Sequence, residues 1–355
     1  MPTIPLLDLG RRLHVFRHEI AAACERVVAS GHVLLGDEVD AFEDEFAAFT
    51  GHRFAVAVGS GTDAIRLALQ ALRIGPGDEV IVPAFTAVPT VAAVCATGAT
   101  PVPVDVDPVA AAIDPDAVRA AMTHRTQAIV PVHLYGRPTL LPDLGVAVVG
   151  DAAHAHGAVP PSSATATAYS FYPTKNLGGL GDGGAVVTDD GDVARRVRLL
   201  AHHAKGAGYV HNEIATNSRL SELEAAVLRI GLRHLEGMNA RRRTIADSYR
   251  RATPTLRWHA PHPSHVHHLC VLRVEDRETF RQAVRFETAM HYPVPITRQP
   301  AYEGFLREPC PEADAWAAEC VTVPCFPEMT DGEVQAVGSA LTAWGRSERR
   351  SGPSR

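Results

Sequence analysis

Three short segments concentrate the residues able to do chemistry. The first, Val58-Gly59-Ser60-Gly61-Thr62-Asp63, joins an apolar run to a stretch with Ile65, Leu69 and Leu72 at helical spacing. Its glycines permit a tight turn, and a helix starting there aims free N–H groups and the Ser60 and Thr62 hydroxyls at whatever lies above. A phosphate suits that arrangement. In the second, Gly150–Gly157 (GDAAHAHG), Asp151 closely follows the apolar run Val146–Val149. A carboxylate there can pair with a protonated ring nitrogen. The third is Ser170–Gly184 (SFYPTKNLGGLGDGG), with Lys175 between a strand-ending Pro173 and a glycine-dense loop. An amine withdrawn from solvent there would have a lowered pKa and react as a nucleophile. Each segment also has a plain structural reading: a serine helix cap, an aspartate capping a turn, a surface-loop lysine. Together they supply a phosphate cradle, a ring-nitrogen partner and an amine.

Composition sharpens the case for Lys175. Of the 34 basic residues, 32 are Arg and only Lys175 and Lys205 are Lys. Arginine can replace lysine in most surface electrostatics, but its guanidinium stays protonated and forms no Schiff base. A lysine that survives such a bias is a candidate for lysine-specific chemistry.

These segments need a scaffold that brings them to one edge. Short Val/Ile-rich runs bounded by Gly, Pro or Asp alternate with helical patterns: Phe54–Val58, Glu79–Val82, Pro101–Val104, Ala128–Val132 and Val146–Val149. That is the pattern of buried strands in a mostly parallel sheet with helical crossovers, whose ligands bind beyond the strands' carboxyl ends. Two further strands, about Ala168–Phe171 and Gly184–Thr188, flank the glycine-rich loop. Phe42, Phe46 and Phe49 mark an N-terminal helical segment. A long helix is expected over about Leu220–Arg251, with bends at Gly231 and Gly237. The expected organisation is a large domain over 1–250, a smaller C-terminal α/β domain over 251–345, and a frayed polar tail over 346–355.

Other classes fit poorly. A net charge of −6 argues against a nucleic-acid surface, so the run Arg241-Arg242-Arg243 reads as a solvated helix face. Apolar runs are too short to span a bilayer, and no export signal is visible, so a cytoplasmic location is expected. The six cysteines are scattered without a CxxC pair and read as reduced thiols. In the histidine-rich stretch His259–His268, His265 and His267 alternate as in a strand. Without a carboxylate or cysteine at ligand spacing they read as surface or strand histidines, and no metal is expected.

The chain resembles the fold-type-I pyridoxal-phosphate enzymes of the sugar-aminotransferase family (DegT/StrS type) along nearly its whole length. The matching stretches are Gly59–Ala64 (GSGTDA), Gly77–Thr86 (GDEVIVPAFT), Pro131–Gly136 (PVHLYG), Asp151–Gly157, Ser170–Gly184, Asn217–Leu220 (NSRL), Leu232–Arg243 and His291–Pro295 (HYPVP). Their order and spacing carry the resemblance. It implies pyridoxal 5'-phosphate held as a Schiff base by Lys175, which also shuttles the proton, with Asp151 on the pyridinium nitrogen. It places the phosphate on Ser60, Gly61, Thr62 and Ser170, Phe85 against the ring, and Asn217 reaching the phosphate of a neighbouring subunit in a homodimer. Tyr292, His291 and Lys205 are the candidate substrate contacts, Lys205 having a solvated-loop reading beside this one.

Two departures stand out. His154 occupies a position that is commonly Gln, from which it can still donate to the cofactor's 3' oxygen. The stretch after Gly157 (AVPPSSATAT) is short, which bears on the substrate more than on the reaction. The implied activity moves an amino group from L-glutamate or L-glutamine to a nucleotide-linked keto-sugar. A cyclitol or other ketone acceptor is the alternative, and a non-catalytic pyridoxal-phosphate-binding regulator a distant third. Relatives that dehydrate sugars would carry His where Lys175 stands.

Overall fold

A computed structural model describes residues 3–158, 164–206 and 209–351. Half of the stretch after Gly157, residues 159–163, therefore lies outside the described residues. The Val/Ile-rich runs do become strands: β1 Phe54–Val58, β2 Glu79–Pro83, β3 Thr100–Val104, β4 Thr126–Ile129, β5 Ala147–Asp151, β6 Ala166–Ser170 and β7 Gly184–Thr188. They form one sheet in the order β1-β7-β6-β5-β4-β2-β3. Only β7 runs against its neighbours, in register with Ala57↔Ala185 and Ala168↔Val186. The expected α/β class and mostly parallel sheet are found.

Helices cover both faces, which is why the strands read as apolar runs and do not alternate. On one face α3 (Gly61–Ala71), α4 (Val88–Cys95) and α6 (Gly191–Ala201) bury Ile65, Leu67, Val91 and Val197 against Val56, Val82 and Val186. On the other, α2 (Asp37–Thr50) lays Phe42 and Phe46 against Tyr169 and Phe171, with edge-on ring contacts of 5.0–5.3 Å. The first 22-residue helix, α1 (Leu9–Ser30), precedes it, and α5 (Pro115–Ala121) follows β3.

The long helix is real: α7 spans Glu222–Ala252 as a single element through Gly231 and Gly237. Its C-terminal half buries Ile245 and Tyr249 against a second, antiparallel sheet of β8 (Arg257–Trp258), β9 (Cys270–Arg273) and β10 (Cys320–Val323). Around that sheet lie α8 (Arg277–Ala283), α9 (Pro311–Glu319) and α10 (Asp331–Ser351). Helix α10 continues to Ser351, past the start of the expected tail at 346; residues 352–355 are outside the described set. Among the described residues no helix is long and apolar enough to cross a membrane.

The structure differs from the sequence expectation at two places. Residues 261–268 form no strand, and His259, His265, His267 and His268 are buried where surface positions were expected. The rings of His265 and His267 stack 3.8 Å apart. Arg242 likewise does not sit on a solvated face: it is 2% exposed, whereas Arg241 pairs with Asp331 at 2.6 Å.

Candidate active site

The sheet brings the three chemical segments to one edge, as the strand ends require. Ser60 follows β1, Asp151 ends β5 and Ser170 ends β6. They line one cavity of about 540 Å³ together with Gly61, Thr62, His154, Lys175 and Tyr292. That volume is within the range of sites for cofactor-sized ligands.

At one end the cavity meets the N-terminus of α3. Ser60 caps the helix by accepting from the Asp63 N–H at 3.1 Å, so the structural reading of this serine also holds. The two roles are compatible, because the Ser60 hydroxyl proton remains free to donate to an anion. The Asp63 carboxylate would oppose an anion, but Arg66 at 2.6 Å and the Ser218 hydroxyl at 2.6 Å neutralise and bind it. Position 61 has no room for a side chain, since a Cβ there would stand 2.5 Å from Ser170 Cβ. The close crossing of α3 over β6 thus sets Gly61, Thr62 and Ser170 around one point.

Asp151 lies at the buried end and is 5% exposed. Thr90 Oγ1 donates to its Oδ2 at 2.7 Å, and the Ala153 N–H to its Oδ1 at 3.1 Å. Burial raises its pKa, opposed by those two donors and by the charge of Lys175. No arginine among the described residues pairs with it, so a cationic partner in the cavity would complete it.

Lys175 follows Pro173 in a loop that folds back on itself. A Cβ at Gly178 would come within 2.4 Å of the Pro173 carbonyl oxygen, so only glycine permits that return. Burial lowers the Lys175 pKa to about 8, with Asp151 opposing the shift. The side chain borders the cavity yet its ammonium is largely enclosed by protein, so a fraction is the free amine near neutral pH.

His154 is neutral, its pKa driven well below the usual value by burial and by Lys175. Its Nδ1 accepts from the Tyr135 N–H at 3.2 Å, which leaves Nε2 as the N–H donor. A smaller cavity of about 320 Å³ adjoins the first, and His154, Tyr172, Lys175 and Tyr292 line both. His291 borders only the smaller one and is bonded to the Thr322 hydroxyl at 2.7 Å.

Three candidates fall outside this group. Phe85 does not line the cavity: it is fully buried, with its ring 5.9 Å from Trp316 and nearly parallel to it. The chain leaves β2 with this side chain directed into an apolar cluster, and Thr86, Ala87 and Val88 border the cavity instead. Lys205 sits on an exposed loop with its ammonium 5.0 Å from the Tyr209 ring centre, away from either cavity. Asn217 is exposed, in a bridge with His202. No cluster of metal-binding side chains occurs among the described residues.

Sequence reasoning missed the supports of Lys175. Arg12 of α1, 7% exposed, donates to the Lys175 carbonyl at 2.9 Å. Asn176 donates to Asn239 of α7 at 2.8 Å and to the Val266 carbonyl at 3.1 Å, while its own oxygen meets His268 Nδ1 at 3.2 Å. The only sequence signal was polar residues on otherwise apolar helix faces, and it named no partner.

The model of the DegT/DnrJ/EryC1/StrS aminotransferase family matches residues 15–342. The dTDP-3-amino-3,4,6-trideoxy-alpha-D-glucose transaminase of Streptomyces venezuelae is 43% identical over 97% of this chain and 96% of its own. The erythromycin biosynthesis sensory transduction protein EryC1 of Saccharopolyspora erythraea is 43% identical over 96% of this chain and 99% of its own. Among solved structures, S. venezuelae DesV in complex with a ketimine intermediate superposes with a TM-score of 0.92. It is 41% identical, and the match covers 97% of this chain and 99% of DesV. The Bacillus subtilis ntda structure with bound cofactor PMP gives 0.90 at 27% identity, over 98% and 86% of the two chains.

Proposed function

This chain belongs to the DegT/DnrJ/EryC1/StrS aminotransferase family, and on that premise we propose that it transfers an amino group from L-glutamate or L-glutamine to a nucleotide-linked keto-sugar. The cofactor is pyridoxal 5'-phosphate. The observation that carries the reading is the convergence of Lys175, Asp151 and the N-terminus of α3 in one cavity. The donor set fits the cofactor: an anion cradle without side-chain obstruction, a buried carboxylate without an arginine partner, and an amine of lowered pKa.

In this reading the N–H groups at Gly61 and Thr62, with the Ser60, Thr62 and Ser170 hydroxyls, hold the phosphate. The Asp151 carboxylate, fixed by Thr90 and Ala153, keeps the ring nitrogen protonated. His154 donates from Nε2 to the 3' oxygen. When bound, the cofactor supplies the carbonyl that receives the amino group and the electron sink that acidifies the adjacent carbon. Lys175 anchors the cofactor covalently and, once displaced, moves the proton as a general base and then a general acid, for which a pKa near 8 is suitable. Tyr292, on the border of both cavities, faces the substrate.

The acceptor class rests on the relatives. Several are named for dTDP- or UDP-linked sugars, such as the UDP-2-acetamido-2-deoxy-3-oxo-D-glucuronate aminotransferase of Pseudomonas aeruginosa, 34% identical over 96% of this chain. A homodimer accords with the surface. Tyr209, Val210 and Ile214 are 76, 56 and 100% exposed on the loop that precedes Asn217, an apolar patch that a second copy would cover.

The test is to incubate the loaded protein with either donor and a panel of dTDP- and UDP-linked keto-sugars and keto-cyclitols, following amino product and 2-oxo acid by mass spectrometry. Amino-sugar formation that Lys175→Ala abolishes is expected. Turnover by Lys175→Ala would sink the assignment, and product from cyclitols alone would replace the acceptor.

A further inference from the structure

The smaller cavity has a charge pattern that the cofactor leaves unused. Its walls carry the imidazoles of His154, His268 and His291, all held neutral chiefly by burial. No Asp or Glu lines it, and its cations are Lys175 and Arg242. Arg242 comes from α7 and is 2% exposed. Its Nη1 donates to the Cys325 carbonyl at 2.6 Å, Nε is buried without a partner, and no carboxylate bridges it among the described residues. Burial lowers its pKa only to about 10, so the guanidinium stays charged at neutral pH. The carboxylate whose charge acts on it, Glu328, is shared with a second buried guanidinium, since its Oε1 lies 3.6 Å from Arg12 Nε. One carboxylate therefore faces two buried guanidiniums, and this corner of the fold carries a net positive charge.

A buried arginine without an ion pair costs stability unless a ligand completes it. The ligand is an anion small enough for about 320 Å³ that must also reach Lys175. An amino acid meets both conditions, because its reacting amine and its α-carboxylate are attached to the same carbon. The geometry points to Arg242 as the receptor for the α-carboxylate of the amino donor, seated in the smaller cavity with its amine toward Lys175. This rests on the transamination reading above. Both named donors carry that carboxylate, so the pocket would accept either, and the larger cavity would remain with the cofactor.

The test uses the cofactor-loaded protein and two readouts. Calorimetry with glutarate, which has no amine and cannot react, should show binding that Arg242→Met weakens roughly 10- to 150-fold, as loss of a charged hydrogen-bonding partner implies. In unaltered protein, L-glutamine keeps the α-carboxylate and L-isoglutamine replaces it by an amide. L-Isoglutamine should be at least about tenfold poorer in the donor half-reaction. Glutarate affinity unchanged in folded Arg242→Met, or L-isoglutamine equal to L-glutamine, would overturn the assignment. If Arg242→Met fails to fold, equal transfer from L-isoglutamine and L-glutamine still overturns the assignment. Arg242-dependent glutarate binding with no transfer from any donor would support the carboxylate pocket and refute transamination.

Discussion

Replacing Asp151 with Asn should act in opposite directions on the empty and the loaded protein. Asp151 accepts from Thr90 on Oδ2, and Thr90 Oγ1 also lies 3.1 Å from Thr86 Oγ1. Both hydroxyls can turn, so an amide NH2 in place of Oδ2 would donate to Thr90, which would then donate to Thr86. The contact with Thr90 is kept, and a buried negative charge is removed. Burial raises the Asp151 pKa, so the folded cofactor-free protein binds this proton more readily than the unfolded chain. The sign follows: its contribution is favourable at low pH and is lost as pH rises through the folded pKa. The Asp151→Asn variant escapes that loss. At neutral pH the gain should be about 1–3 kcal/mol, the order found when a buried charge is removed, since Lys175, which loses an attractive charge, can shed its own proton. With about 2.1 cal/mol/K of unfolding entropy per residue over 355 residues, 1 kcal/mol is roughly 1.3 °C, so the midpoint should rise by about 1–4 °C. The loaded protein should respond in the other direction. Loss of the carboxylate–pyridinium pair removes at least about 2 kcal/mol, a weakening of roughly 30-fold or more in cofactor affinity. Thermal unfolding followed by circular dichroism, with and without saturating cofactor, reads both effects. A cofactor-free Asp151→Asn less stable than the parent, with cofactor affinity unchanged, would refute the reasoning.

Other consequences are equally direct. Lys175 should react with an aldehyde in cofactor-free protein with a pH midpoint near 8, because burial lowers its pKa, and the folded state should gain stability from this group as pH rises above about 8. A midpoint near the ordinary lysine value of about 10.4 would contradict this. Gly61→Ala places a Cβ 2.5 Å from Ser170 Cβ and should cost about 1–3 kcal/mol by overpacking, together with phosphate affinity; inorganic phosphate competition against cofactor binding measures the second effect. Asn176→Ala strands the Asn239 carbonyl oxygen and the Val266 carbonyl, and should cost about 1–3 kcal/mol in denaturant unfolding. His154→Ala should shift the bound cofactor's spectrum and slow turnover, and an unchanged spectrum would remove His154 from the site.

The sheet was legible because both of its faces are covered. Buried strands such as Val80–Val82 then appear as continuous apolar runs, and β-breaking residues mark their ends. The positions of Asp151 and Lys175 followed, since strand ends in such a sheet converge on one edge. Direction was less legible than position. Phe85 follows a strand at the right edge, but which way its ring turns depends on Trp316, which is 231 residues away in the chain. The alternation of His265 and His267 gave the wrong environment, because a buried loop held by His259 and Asn176 contacts has no periodic signature. Arg12, Asn176, Asn239 and Arg242 were missed for the same reason. Their roles lie in contacts between distant segments, and Arg242 stood in a triple-arginine run whose other two members are half-exposed.

The central claim is that Lys175 holds a cofactor that exchanges amino groups, and its most direct test is the absorbance spectrum of the purified protein before and after L-glutamate, without acceptor. The predicted result is a visible band, absent in Lys175→Ala, that bleaches to the pyridoxamine form on adding the donor. A band that no amino donor alters would contradict the transfer reading, and no band even with added pyridoxal 5'-phosphate would contradict Lys175 as the anchor.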